Sequence, residues 1–301
     1  MRHFLFQFET LACAFLAAAS SCSPAFNGDA IVEDEFQTPI TPVKTVTFGM
    51  EASFYSMAET RAEAVPTQLL VLDVLPDKTI SVYTRGVAEA TDVGGGILDN
   101  LTLEMKYGTH KLYFVAADKP FSNYDEPSLT VSWIASEGNV LNNCWAASMD
   151  ITVGEETAGI QSVVMPIRVA SIQIVTSDIV TPETSEMSTT LSNGSWQISL
   201  ETMKGCKATG IYRDIVIPES YKGKKSVSLA LYTFLPEGES NGGTLTVAAK
   251  TSSGSVINSH TMTDVPIREA QITRYTGMFY NKYNGFSMDI QNTWTVMDKT
   301  Y

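Results

Sequence analysis

The sequence predicts an all-β protein built from β-sandwiches, and three features of its patterning support this fold class. Short segments alternate apolar and polar residues with the period of a half-buried strand, as between Leu101 and Tyr107. Glycine and asparagine punctuate these segments, as at Asn193-Gly194, and favour tight reversals because both tolerate positive φ. Beyond the first 21 residues we expect no amphipathic helix longer than about three turns. Many short strands at this spacing are typical of β-sandwiches.

The strand pattern continues along the whole chain in two forms. Fully apolar runs suit strands at the centre of a sheet, and they occupy residues 69–74, 112–117 and 169–175. Alternating runs suit strands with one buried face, and they include residues 196–200, 227–231, 245–249 and 288–296. Trp196 and Trp294 fall within such runs, so we expect both to be buried strand residues.

Length and composition indicate packed domains with an acidic surface. The chain has 301 residues, which suggests about two domains, and 44% of them are hydrophobic. Its net charge of -13 argues against a nucleic-acid partner, because phosphates attract Lys and Arg. We expect an N-terminal sandwich at residues 43–165 and a C-terminal one at 166–301. Residues 166–172 resemble residues 266–272. We interpret this short echo as one pattern for the start of a strand that occurs twice by convergence, rather than as a duplication within the chain.

The first 42 residues have the features of an export leader and a tether. Residues 1–21 read as a signal peptide, with Arg2 before a short apolar core and small residues before Cys22. This is a loose lipobox, which predicts a diacylglycerol-modified Cys22 and an acidic tether at residues 22–42. The alternative is ordinary cleavage after Ala19, which would leave Cys22 as a bystander.

The body of the chain contains two cysteines, Cys144 and Cys206. They are far apart in sequence and lack the spacing of a zinc site. In an oxidising compartment they could form one disulfide. The simpler interpretation, which we favour, is two small buried hydrophobic residues.

No pattern of catalytic or metal-binding residues occurs in the sequence. His110 and His260 have no second His or Cys at ligand spacing, and no phosphate-cradling loop or nucleophile elbow occurs. We therefore expect no enzyme activity, no metal and no cofactor. A glycan-binding sandwich is the main alternative, because aromatic faces can stack on sugar rings. The candidate aromatic residues are the four tryptophans, Trp133, Trp145, Trp196 and Trp294.

Several stretches, taken in order, resemble the fimbrillin-associated anchor proteins and related subunits of type V fimbriae. These stretches are residues 46–62, 101–116, 144–153, 165–172 and 266–280. The resemblance implies two tandem transthyretin-like β-sandwich domains after a lipoprotein signal peptide. It also implies a surface lipoprotein of the outer membrane, held by the lipid on Cys22, that binds other fimbrial subunits by strand exchange and serves adhesion to host or bacterial surface ligands.

The resemblance leaves two roles open, and Arg61 distinguishes them. In the resembled pilins a protease cuts after an arginine that follows the first strand, and Arg61, followed by Ala62, matches that position. Such a cut would separate the lipid on Cys22 from the body, so a cleaved polymerising fimbrillin and a permanent basal anchor exclude each other. We favour the uncut anchor or accessory subunit, since few residues follow the last strand pattern at Val296.

The lipid prediction can be tested by substitution of the two N-terminal cysteines. Cys22→Ser should release the protein from the membrane fraction, because the acyl chains provide most of the anchoring. Cys13→Ser, within the leader, is the matched control and should leave the protein membrane-bound. Immunoblotting of salt-washed membranes measures both, and retention of the Cys22→Ser protein would contradict the lipobox.

Overall fold

The computed structural model describes residues 41–52, 65–87, 89, 96–133, 141–225, 227–238 and 242–280. These residues form 18 strands, so the all-β prediction is confirmed. In these described ranges no helix has the length and hydropathy needed to span a membrane.

The N-terminal half pairs its strands into two sheets that pack face to face. One sheet has the order β4-β1-β9 and the other β3-β2-β5-β8. The ring centroids of Phe48 and Phe114, on β1 and β5, lie 5.5 Å apart between the sheets. The strands are β1 Val43–Ala52, β2 Gln68–Val74, β3 Ile80–Gly86, β4 Leu101–Lys106, β5 Gly108–Ala117, β6 Asn123–Asp125, β7 Thr130–Ser132, β8 Cys144–Val153 and β9 Ile160–Met165.

The C-terminal half repeats the same topology. Its sheets have the orders β15-β10-β18 and β14-β11-β16-β17, which correspond strand for strand to those of the first half. In both halves the first strand is central, antiparallel to one neighbour and parallel to the last strand. The strands are β10 Val169–Thr176, β11 Glu186–Leu191, β12 Gln197–Ser199, β13 Lys204–Cys206, β14 Ile211–Val216, β15 Ser228–Phe234, β16 Gly242–Lys250, β17 Val256–Pro266 and β18 Ile272–Gly277.

A fifth sheet joins the two halves. It has the order β13-β12-β7-β6, and its central pair is β7 from the first half against β12 from the second. The backbone N–H of Trp133 extends this pairing by donating to the carbonyl of Trp196 at 2.9 Å. Trp133 is buried, and its ring centroid lies 5.5 Å from that of Phe234 on β15.

Each half of the chain has its own hydrophobic core. The core of the N-terminal half also includes residues from the C-terminal half. Residues from the C-terminal half, including Ile198, Leu200 and Phe234, belong to the first core. Trp196 packs against both cores. Because residues from Thr41 onward form one compact unit, the boundary at 165/166 stays a prediction.

Most of the strand predictions agree with the burial pattern. The apolar runs at residues 69–74, 112–117 and 169–175 lie in β2, β5 and β10, each of which has a strand on both sides. Along β4, buried and exposed residues alternate as the sequence predicts. The prediction for Trp196 was wrong, because this residue is half-buried in a bend before β12. Trp294 and the run at residues 288–296 lie outside the described residues.

The echoed sequences lead into two neighbouring strands. Residues 166–172 precede and begin β10, and residues 266–272 precede and begin β18, which is paired parallel to β10. Parallel neighbours begin at the same end of a sheet, so similar residues suit the start of both strands. Arg168 Nη1 lies 2.7 Å from Glu269 Oε1, which links the two echoed segments.

The two body cysteines are free, so the disulfide alternative was wrong. Cys144 is buried on β8, and burial raises the pKa of its thiol. Cys206 ends β13 and is half-buried, which is less enclosed than we expected. Cys144 therefore behaves as a small hydrophobic core residue with little thiolate character.

A buried Asp73–His110 pair connects the two sheets of the N-terminal half. His110 Nδ1 lies 2.8 Å from Asp73 Oδ1, and both side chains are almost fully enclosed. His110 Nε2 lies 2.8 Å from the Lys106 carbonyl, and because a carbonyl only accepts, Nε2 must donate. The pair therefore fixes the corner where β4 turns into β5. The charge of Asp73 also raises the pKa of Tyr83, after the larger effect of burial.

The pair should make stability depend on pH. Burial raises the pKa of Asp73, and the hydrogen bond and charge of His110 offset part of this effect. An acid whose pKa is raised by folding contributes stability that is complete below its unfolded pKa and is lost as pH rises through its folded pKa. Asp73→Asn has no such proton, so its stability relative to the wild type should increase as pH rises through the acidic range.

Urea midpoints at a series of acidic pH values measure this difference. Asp150→Asn removes the same charge from an exposed position on β8 and is the control for net charge. A stability difference between Asp73→Asn and the wild type that stays constant or decreases with pH would contradict the interpretation.

Candidate assembly site

The predicted site residues Cys22, Arg61 and Ala62 lie outside the described residues. The strand between them in sequence, β1, is described in full. The candidate site is therefore built from β1 and the strands beside it.

Strand β1 occupies the centre of a three-stranded sheet. It pairs antiparallel with β4 from Val43 to Phe48 and parallel with β9 from Thr47 to Ala52. Val46 and Phe48 have no exposed surface and Ala52 is buried, so alternate side chains point into the core. We call the space between β4 and β9 the β1 slot. It combines backbone pairing on both sides with an apolar floor.

Hydrogen bonds hold the start of β1 against neighbouring turns. Lys44 Nζ donates to the carbonyls of Gly154 and Glu155 at 3.2 and 2.5 Å. The carbonyl of Pro42 accepts the N–H of Tyr107 at 2.9 Å. These contacts fix the start of β1 against the sandwich.

The outer edge of β9 has no strand partner among the described strands. The Thr47 N–H donates to the Gly159 carbonyl at 2.9 Å. This bond establishes which residues of β9 direct their backbone groups towards β1 and which direct them outwards. The N–H groups of Gln161 and Val163 consequently face β1, and those of Ser162 and Val164 face outwards.

The side chains on this edge are apolar and exposed. Ile160 is 70% exposed and Val164 is 58% exposed, and β9 contains no charged residue. Native edge strands usually carry charges or proline, which prevent pairing with another chain. The β9 edge has neither, and its chemistry suits the addition of a further strand.

In the described part of the chain no group of three or more His, Cys, Asp or Glu residues could hold a metal ion.

The buried pair of Asp73 and His110 was missed by sequence reasoning. One signal could have revealed it, because Asp73 is a single carboxylate in the otherwise apolar run from Leu69 to Val74.

No family model matches this sequence, and no curated protein matches it. In structure the chain is similar to a candidate adhesin from Bacteroides ovatus ATCC 8483, with 10% identity over 92% of this chain and 100% of that one, at a TM-score of 0.49. It is also similar to the fimbrial anchor protein Mfa2 from Porphyromonas gingivalis, with 12% identity over 78% and 91% of the two chains and a TM-score of 0.43. A fimbrial assembly protein from Parabacteroides distasonis ATCC 8503 is 11% identical over 79% and 92%, with a TM-score of 0.45.

Proposed function

We propose that this protein is a fimbrial subunit of the outer-membrane surface, anchored by lipid on Cys22, which joins other subunits by strand exchange. It is a basal anchor or accessory subunit that serves adhesion and has no enzymatic role. The observation that carries the proposal is the β9 edge, with outward-facing backbone groups and the exposed side chains of Ile160 and Val164. The resemblance of the sequence to fimbrillin-associated anchors supports the same role.

Strand addition at β9 provides both affinity and register. The N–H and C=O groups of Ser162 and Val164 can bond to the backbone of a neighbour's strand. Ile160, Ser162 and Val164 share one face, and a partner side chain between Ile160 and Val164 would fix the register, because a one-residue slip moves it to the other face. No catalytic group is needed for such a function.

The β1 slot supports the alternative role, in which the chain is a polymerising fimbrillin cleaved after Arg61. Removal of β1 would open a groove between β4 and β9 with two unpaired backbone edges and an apolar floor. A neighbour's strand could fill this groove. While β1 remains in place, the slot is occupied and the β9 edge is the available site.

Proline substitution tests strand addition at β9. Ser162→Pro removes an outward-facing N–H without removing a bond to β1, and edge strands tolerate proline. The variant should remain folded and membrane-bound but lose the fimbrial subunits that co-purify with washed membranes. Ser162→Ala keeps the N–H and should retain them. Equal recovery of subunits from both variants, with equal melting temperatures, would reject assembly at this edge.

N-terminal sequencing distinguishes the two roles. For a basal anchor, the protein should occur mainly in washed membranes with a blocked, lipidated N-terminus at Cys22. The sheared fibre fraction should contain little of it. Recovery mainly from the fibre, with Ala62 as the first residue, would overturn the anchor role and support the cleaved fimbrillin.

A further inference from the structure

The two outer strands of the sheet β4-β1-β9 differ in charge. Strand β4 carries Glu104 and Lys106, whereas β9 carries no charged residue between Ile160 and Met165. Charged side chains on an edge strand prevent pairing with a further strand, so β4 is protected and β9 is not. On a chain with a net charge of -13, an uncharged edge also keeps the local repulsion between two copies low.

The backbone of the β9 edge is complementary to itself. Ile160, Ser162 and Val164 direct their N–H and C=O groups away from β1, because the residues between them bond to it. An antiparallel strand of the same sequence can therefore place its Ser162 opposite Ser162 and its Val164 opposite Ile160. In this register each outward-facing residue meets another outward-facing residue, and each such pair can exchange two N–H···O bonds.

The side chains fit the same register. Ile160 and Val164 are 70% and 58% exposed on the outer face of the sheet, and antiparallel pairing places each beside the other in the second copy. Apolar cross-strand pairs remove such surface from water and stabilise the ladder. At the centre Ser162 meets Ser162, and no side chain crowds this pair from β1, because the neighbour there is Gly49.

The charges beside β9 favour the antiparallel orientation over the parallel one. Glu155 and Glu156 are exposed in the turn that precedes the strand. In a parallel pair the acidic turns of the two copies would lie side by side and repel each other. Antiparallel pairing moves them to opposite ends of the contact.

We propose that the protein, before it meets other subunits, forms a dimer in which the β9 edges of two copies pair antiparallel around Ser162. This inference rests on the proposed function, because both use the β9 edge, but it names a second copy of the chain as the partner. The contact is symmetric and occupies both edges, so it closes at two copies and does not extend into a fibre. It covers an edge that could otherwise pair with unrelated chains. Since β9 has six residues, the contact is short, and a fimbrial subunit can displace the second copy.

Cysteine cross-linking tests the register on the full-length protein, purified in detergent without other subunits. In an antiparallel hydrogen-bonded pair the two Cα atoms lie about 5.5 Å apart, within the range of a disulfide. Mild oxidation with copper phenanthroline should therefore shift Ser162→Cys from monomer to disulfide-linked dimer on a non-reducing gel. Ser259→Cys, at an exposed serine of the edge strand β17, is the matched control and should remain monomeric. The wild type measures any background from the free Cys206.

Two further variants distinguish the antiparallel from the parallel orientation. Ile160→Cys alone should not form a dimer, because the two substituted residues would lie about 13 Å apart along the strand, beyond the reach of a disulfide. A mixture of Ile160→Cys and Val164→Cys should form one. Strong dimer formation by Ile160→Cys alone, or a Ser162→Cys protein that cross-links no more than Ser259→Cys, would overturn the proposal.

Self-pairing and subunit assembly can fail separately. If Ser162→Cys stays monomeric while Ser162→Pro still loses the fimbrial subunits that co-purify with washed membranes, self-pairing is wrong and assembly at β9 stands. If Ser162→Cys cross-links while Ser162→Pro retains those subunits, the dimer stands and assembly at this edge is wrong.

Discussion

Pairing of β7 with β12 is the constraint on which the rest of the structure depends. Each of these strands has three residues, and neither could remain ordered as an isolated pair in water. They are stabilised because they form the centre of a four-stranded sheet beside buried Trp133. Gln197 Nε2 strengthens the contact by donating to Thr130 Oγ1 at 3.0 Å. Through this sheet, side chains of the second half complete the core of the first.

The same pairing determines what is exposed where the halves meet. The Trp133 N–H donates to the carbonyl of Trp196 and holds the backbone of Trp196 at the junction, one residue before β12 begins. Its ring consequently lies between the cores and the solvent, next to Tyr212. Trp196 is therefore half-buried at the junction, instead of fully buried within a strand.

Prediction from the sequence succeeded where local patterning determines burial, and failed where distant segments meet. The long strands β2, β4 and β10 have enough apolar or alternating residues to indicate both their existence and their buried faces. Strand β7 is too short for a period to be recognised. The alternating run at residues 196–200 indicated β12, but not that its partner β7 lies in the other half of the sequence. The common topology of the halves was also hidden, since the echo seen in the sequence relates β10 to β18 rather than one half to the other.

The central position of β1 decides what a cut after Arg61 would do physically. Burial of Phe48 and Val46 contributes about 1.5–3 kcal/mol for each side chain. Loss of β1 would also leave backbone groups of β4 and β9 unpaired beside an apolar floor. Since the net stability of a protein is typically about 5–15 kcal/mol, a chain without β1 would lose a large share of it. A cleaved subunit would therefore persist only if another strand filled the slot soon after the cut. An uncleaved subunit keeps the pairing of β1 with β4 and β9, so the slot stays filled and the outer edge of β9 is the side of this sheet next to β1 that has no strand partner among the described strands.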